Sequence, residues 1–450
     1  MMALFLACTA AKASQFGGGN LNPTLETDAA AMAKWQDAKV GLTIHWGPIA
    51  SRGTEIGLSR GVQVPAQEYD SLYKEFNPTL FSARDWARLF KDSGFRYVTL
   101  VSKHVDGFAM WGTKQTNYNI VNSAFHRDWL REISDECRHQ GIMFGVYYAI
   151  LDFYQYDYLG NTEAPWTPTH GGPGFKLDRK PDFDRYVSYM KAQLKELVLD
   201  YGVEILTFDG DWDPSWTHDR GSDLYRFLHN LKSTLLVNNR VDTKAGWEDA
   251  RMVGYDGSLW AFYPARFWQP QTYAGDYLER EEYIGGPAPY PWEAWITLGD
   301  QWGWKPNDKN KSADDCIRYL VLTAGGGGNF NLNVTPMMDG RFEQRQKDLL
   351  LKIGAWLKAN GESIYGTRGG PFEPGLWGAS TERANKVYVH VLAWPGETLH
   401  LPALNRTVKS ARRLGAGEVQ WKQTADSVEI SVRPSQRDPV DTIIELTVGN

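Results

Sequence analysis

The sequence predicts a closed barrel of alternating parallel strands and helices, followed by a small antiparallel β domain. Three observations carry this. Short apolar strands alternate with amphipathic helices eight times between residues 39 and 360, the pattern of a parallel barrel. Several of those strands stop abruptly at a polar residue, and barrels of this kind collect their chemistry at the C-terminal ends of their strands. From about Thr367 the texture changes to short alternating segments divided by turn residues, the mark of an antiparallel sheet. No glycine-rich dinucleotide fingerprint follows the first strand, which weakens an open, doubly wound sheet.

Taken in order, residues 27–37 read as a short Ala-rich helix and 39–47 as a strand ending in His45-Trp46-Gly47. Residues 48–80 are loop-rich and contain Glu55. Ser82 caps a helix over 82–93 with Trp86, Leu89 and Phe90 on one face, and Gly94 ends it. A second strand, 96–103, runs into Lys103-His104-Val105-Asp106-Gly107. A helix over 127–139 stops at Gly141, a third strand over 142–150 carries Tyr147-Tyr148, and a long loop with Pro and Gly spans 160–175. A helix over 183–200 leads into YGVEILTFDGDW (201–212), a strand that delivers Asp209 at its end. An Asp-Gly pair also suits a plain turn or a helix cap. A helix over 223–233 and a fifth strand over 235–240, ending in Arg240, come next. Residues 241–310 are irregular, with strand-like pieces at 258–262 and 294–298 and an acid-rich loop over 275–284. A helix over 311–323, a last strand over 329–336 and a helix over 343–360 complete the barrel. Segments at 386–392, 397–401, 418–423, 428–432 and 442–447 form the antiparallel domain.

Composition narrows the function. The 450 residues suit a large barrel plus an accessory domain. A formal net charge of −6 without a basic run argues against a nucleic-acid partner. No apolar run reaches the roughly 18 residues of a membrane span. Three cysteines cannot build a disulfide framework, and Cys137 and Cys316 fall in amphipathic helical patterns that predict buried thiols. Aromatic residues make up 13% of the chain, with many of the 19 Trp beside Gly, Asp or Pro in loops. That placement suits a sugar-binding cleft, where the C–H face of a pyranose stacks on an aromatic ring. The N-terminal MMALFLACTAAKASQ carries an apolar stretch and a small-x-small site at Ala11-Lys12-Ala13, which resembles the end of a secretory signal and predicts export to the periplasm or the outside. It lacks a positive leading region, and the residues before Cys8 match a lipid-attachment site poorly. The following QFGGGN reads as a flexible leader.

The strand ends bring His45, His104, Asp209 and Arg240 to one end of the predicted barrel, with Tyr147 able to join them. Each alone has an ordinary structural use; together they read as a site. The pieces KVGLTIHWG (39–47), KHVDGFAMW (103–111), RDW (127–129), FGVYY (144–148), LTFDGDW (206–212), VNNR (237–240), GGGGNFNLNVTPMMDG (325–340) and SIYGTR (363–368) follow in order. In these motifs the chain resembles the α-L-fucosidases of glycoside hydrolase family 29. The resemblance implies a TIM-like (β/α)8 barrel over 27–366, after a signal remnant and leader over 1–26, and a C-terminal antiparallel β-sandwich over 367–450. It implies an exo-acting retaining hydrolase for terminal α-L-fucosyl residues of glycans, with Asp209 as nucleophile. His45, Trp46, Glu55, His104, Tyr147, Arg240 and Trp302 are then substrate-binding residues. Trp302 and Trp304 offer an aromatic wall or a leaving-group subsite. Glu281 is the first choice for the acid/base, with Glu282, Glu279 and Glu293 as alternatives. The mechanism calls for no metal and no cofactor.

The chain departs from the family pattern at three positions: Val105 replaces a histidine, Ile56 an aromatic residue and Thr207 a tryptophan. These departures keep open a related glycosidase for another sugar, such as a galactoside. A non-catalytic carbohydrate-binding protein is a third reading, which the presence of Asp209 disfavours.

Overall fold

The computed structural model describes residues 17–18, 22–160, 180–243, 274–284, 290–417 and 419–449. Its centre is a ring of eight parallel strands: β1 (Val40–Ile44), β2 (Tyr97–Lys103), β3 (Met143–Ala149), β4 (Ile205–Asp209), β5 (Leu236–Val237), β6 (Leu278–Glu281), β7 (Trp292–Thr297) and β8 (Asn329–Val334). Their spatial order is β5-β4-β3-β2-β1-β8-β7-β6. The ring closes between β5 and β6 through a parallel bridge of Asn238 to Tyr277, with Asp276 N–H donating to the Val237 carbonyl at 2.7 Å and Asn239 N–H to the Tyr277 carbonyl at 2.8 Å. The strands are buried on both sides because helices cover them outside and side chains, several of them polar, fill them inside.

The surrounding helices are α1 (Ala29–Ala38), α2 (Ala83–Asp92), α3 (Trp129–Gln140), α4 (Phe183–Asp200), α5 (His218–Leu231), α6 (Ala313–Gly325) and α7 (Gln344–Asn360). The caps are those the sequence signals. Ser82 accepts from Asp85 N–H, Asp128 from Arg131 N–H, and Gly141 ends α3 in the left-handed conformation that a glycine adopts at little cost.

Four expectations change. Helix α5 starts at His218, not 223, because Thr217 caps it and Gly221 lies against the Asp242 backbone, where a Cβ would sit 2.6 Å from Cα. The fifth strand is only Leu236–Val237, and Arg240 lies on the 3-10 turn Asn239–Val241 that follows. The acid-rich stretch read as a loop contains β6, Leu278–Glu281. In the stretch read as a flexible leader, Gly17–Gly18 pairs antiparallel with Asn22–Glu26. The strand expected at 258–262, much of the 160–175 loop and Cys8 lie outside the described residues. Cys137 and Cys316 are free and buried, as expected, and burial pushes both thiols up to about 12.

Beyond α7 come two antiparallel sheets. One orders Arg368–Gly369, Gly378–Arg383, Lys386–Val391, Thr442–Val448 and Val408–Arg413; the other orders Thr398–Pro402, Ser427–Ser431 and Gln420–Gln423. Val387, Val389, Leu399, Val428, Ile430 and Ile444 fill the layer between them. The sequence missed 378–383 and 408–413, where Gly, Ser, Lys and Arg dilute the strand signal.

Candidate active site

Asp209 ends β4, and its backbone turns sharply at Gly210, which has φ +95. The turn leaves Gly210 N–H donating to Asp209 Oδ1 at 2.7 Å. Tyr147, near the end of neighbouring β3, donates its hydroxyl to Asp209 Oδ2 at 2.5 Å. Arg240 Nη2 closes on Asp209 Oδ1. Burial raises the Asp209 carboxyl, but Arg240, the Tyr147 hydroxyl and the Gly210 N–H outweigh it, and the group sits below the usual carboxylate range.

Arg240 is the hub. Its Nε donates to Asp211 at 3.0 Å, and its Nη1 to Glu279 at 3.0 Å and to Glu281 at 2.5 Å. Burial pushes Asp211 up and Glu279 well up despite that cation. Neighbouring carboxyls driven in opposite directions can take different roles. Asp209 is the ionised one.

The four candidate glutamates separate by position. Glu279 is fully buried beneath Arg240, where Asn238 Nδ2 also donates to it at 2.8 Å. Glu282 turns away, accepting from Thr297 N–H at 2.5 Å and pairing with Lys311 at 3.4 Å. Glu293 starts β7, deep in the barrel, bonded to Tyr97, Trp295 and Asn331. Glu281 ends β6 beside Arg240 with 44% of its side chain exposed.

The opposite side of Asp209 is an inward pocket. His45 follows β1, and its Nδ1–H donates to Asn333 Oδ1 at 2.8 Å. The amide orientation follows from Asn333 Nδ2, which donates to the Trp302 carbonyl at 3.0 Å. That tautomer leaves His45 Nε2 free to accept a hydroxyl proton. His104 stacks on Tyr147 with ring centroids 5.3 Å apart, and its Nδ1 is buried without a hydrogen-bond partner among the described residues. Burial lowers His45 to about 4; burial and then His45 lower His104 to about 3, so both rings are neutral near pH 7. Trp295 and Trp302 complete the wall, 6.4 and 5.3 Å from the His45 ring. Among the described residues no group of His, Cys, Asp and Glu is placed as metal ligands would be.

The structure thus gathers Asp209, Glu281, Arg240, Tyr147, His45, His104 and Trp302. It does not gather Trp46, whose ring is buried among Phe76, Phe81, Trp86 and Trp129 with Nε1 donating to the Met337 carbonyl. Adjacent residues at a strand end face opposite ways, so His45 inward sends Trp46 outward. Glu55 accepts from the backbone N–H groups of Ile56, Trp302 and Gly303 at 3.0, 2.8 and 2.9 Å, which makes it an anchor for the Trp302 loop. Trp304 donates to Glu343 and packs at the barrel rim. Thr207, one layer below Asp209, bonds the Tyr277 hydroxyl at 3.0 Å, and Val105 and Ile56 share one apolar cluster. Sequence reasoning assigned no role to Trp295, Asn333 and Asp211. The NFNLNV alternation, which points three Asn side chains into the barrel, was the signal for Asn333.

A family model described as Alpha-L-fucosidase matches residues 8–362. The chain belongs to that family. Among relatives, an α-L-fucosidase of Branchiostoma floridae is 26% identical over 443 residues, covering 90% of each chain. The plasma α-L-fucosidase of Homo sapiens is 26% identical over 86% of this chain and 81% of its own. Among solved structures, α-L-fucosidase isoenzyme 1 from Paenibacillus thiaminolyticus is 30% identical with a TM-score of 0.80, over 93% of this chain and 99% of that one. A family 29 α-L-fucosidase of Bacteroides thetaiotaomicron, solved as a trapped covalent intermediate with 2-fluoro-fucosyl fluoride, is 26% identical with a TM-score of 0.78, over 98% and 99%. These neighbours share the barrel-plus-sandwich architecture described above.

Proposed function

We propose that this chain is an exo-acting retaining α-L-fucosidase that releases terminal α-L-fucosyl residues from oligosaccharides or glycoconjugates. The observation that carries the reading is one guanidinium, Arg240, holding an ionised Asp209 beside the solvent-facing Glu281. In the first step an Asp209 oxygen bonds to the anomeric carbon as the glycosidic C–O bond breaks, and Glu281 gives its proton to the departing oxygen. In the second step Glu281 takes a proton from water, whose oxygen displaces Asp209 and restores the starting configuration. Arg240 and Tyr147 aim Asp209. The neutral rings of His45 and His104 meet sugar hydroxyls, and Trp295 and Trp302 wall the pocket. Glu55 acts through the Trp302 loop. The buried inner end suits one terminal sugar, hence the exo action.

The covalent intermediate trapped in the Bacteroides relative supports double displacement. On this reading residues 27–366 carry the chemistry and 367–450 support them. The Ala11-Lys12-Ala13 pattern supports export, which the intact mass of the mature protein tests. For the activity itself, proton NMR of an aryl α-L-fucoside reaction should show α-L-fucose first, with aryl galactosides turned over far more slowly. β-L-fucose as the first product, or a preference for a galactoside, contradicts the reading.

A further inference from the structure

In the inner pocket His45, His104, Tyr147 and Trp295 are almost fully covered and Trp302 is partly so, while two members of the Arg240 group face solvent. One is Glu281. The other is Trp212, which is 37% exposed in the turn after the nucleophile strand. Its indole lies by the guanidinium, with Arg240 Cζ 5.3 Å from the ring centroid. The turn is held at both ends. Gly210 has no space for a Cβ, which would stand 1.8 Å from Leu151 Cδ1, and Asp211 returns to Arg240 Nε at 3.0 Å. A single exposed apolar residue is ordinary on a protein surface. Trp212 differs from Leu58, Val62 and Leu376, which are also exposed, because its ring is fixed by a cation that touches both carboxylates of the reaction.

We propose that Trp212 is the platform for the leaving group, a pyranose that stacks its C–H face on the indole. This rests on the fucosidase reading. The bond that breaks joins the fucose held over Asp209 to the oxygen protonated by Glu281. The pocket is closed behind the fucose by His45, His104 and Tyr147, so the leaving sugar extends past Glu281 toward solvent, where Trp212 stands. Trp302, expected as a candidate for this role, lies instead against His45 on the fucose side.

The test compares kcat/KM for α-L-fucosyl fluoride with that for the fucosylated disaccharide the wild type cleaves fastest. The fluoride leaving group is one atom and fills no sugar subsite. In Trp212→Ala, the disaccharide value should fall at least tenfold more than the fluoride value, mainly through KM, and Trp212→Phe should recover most of the difference. Equal falls for both substrates would make Trp212 a support for Arg240 and overturn the proposal. So would a wild type that cleaves the fluoride but no fucosylated disaccharide. A wild type inactive on the fluoride as well removes the fucosidase reading itself, and the platform with it.

Discussion

Arg240 brings one positive charge to Asp209, Asp211, Glu279 and Glu281. Four carboxylates against one cation would bury uncompensated negative charge, which is costly. Burial therefore holds Asp211 and Glu279 up, while Asp209, which adds a tyrosine hydroxyl and a backbone N–H to the same cation, stays ionised. The histidines across the pocket make a pH prediction. His45 and His104 sit at about 4 and about 3, below their ordinary 6.5, because burial favours the neutral rings. The unfolded chain then binds more protons below pH 6.5, so stability present above that pH is lost as pH falls toward 4 and 3. Each tenfold step in proton affinity is worth about 1.4 kcal/mol, so His104 alone removes on the order of 3 kcal/mol by pH 4. The Tm of His104→Gln should therefore fall less between pH 7 and pH 4 than that of the wild type. Parallel Tm curves would mean that His104 is not held neutral by the fold.

At the scale of elements, the turn after β4 is the most constrained piece of backbone in the site. Gly210→Ala must move the turn, at a cost of roughly 1–3 kcal/mol for the strained conformation. We expect a lower Tm and a kcat/KM reduced tenfold or more as Asp209 and Asp211 lose their shared cation. Wild-type values of both would contradict the strain argument. The strand ends were legible because apolar runs that lead into His45, His104 and Asp209 follow the barrel's own logic. Strand β6 was not. Its acid-rich run read as a loop, from which only the family resemblance singled out Glu281; Glu279 and Glu281 are two residues apart and both face Arg240, a partner that local sequence does not reveal. Trp46 lies away from the cluster for the complementary reason: proximity to His45 along the chain is opposition across the strand. Asp211 and Asn333 act through contacts with residues far away in sequence, and no local pattern discloses such contacts.

At the scale of the whole molecule, the Asp209–Arg240 cluster and the seam with the antiparallel sheets occupy opposite ends of the barrel. The antiparallel sheets meet it near the C-terminus of α6, where Gly325 faces Ala379 and a Cβ would stand 2.4 Å from the alanine Cβ. Thr381 adds a hydrogen bond to the Ser363 carbonyl at 2.5 Å, and the Lys39 amine binds the Gly328 carbonyl at 3.2 Å at the start of β1. Gly325→Ala overpacks this seam, and such changes typically cost about 1–3 kcal/mol. The expected outcome is a Tm lowered by a few degrees with kcat/KM at 25 °C within about twofold of the wild type. A tenfold loss of kcat/KM in the folded variant would show that the seam also shapes the site. The central claim is that Asp209 forms a covalent fucosyl ester, and the most direct measurement is peptide mass mapping after inactivation with 2-fluoro-fucosyl fluoride. One added fluorofucosyl group is expected, on the peptide containing Asp209 and absent from Asp209→Asn. A label on any other carboxylate, or a label that persists in that variant, would contradict it.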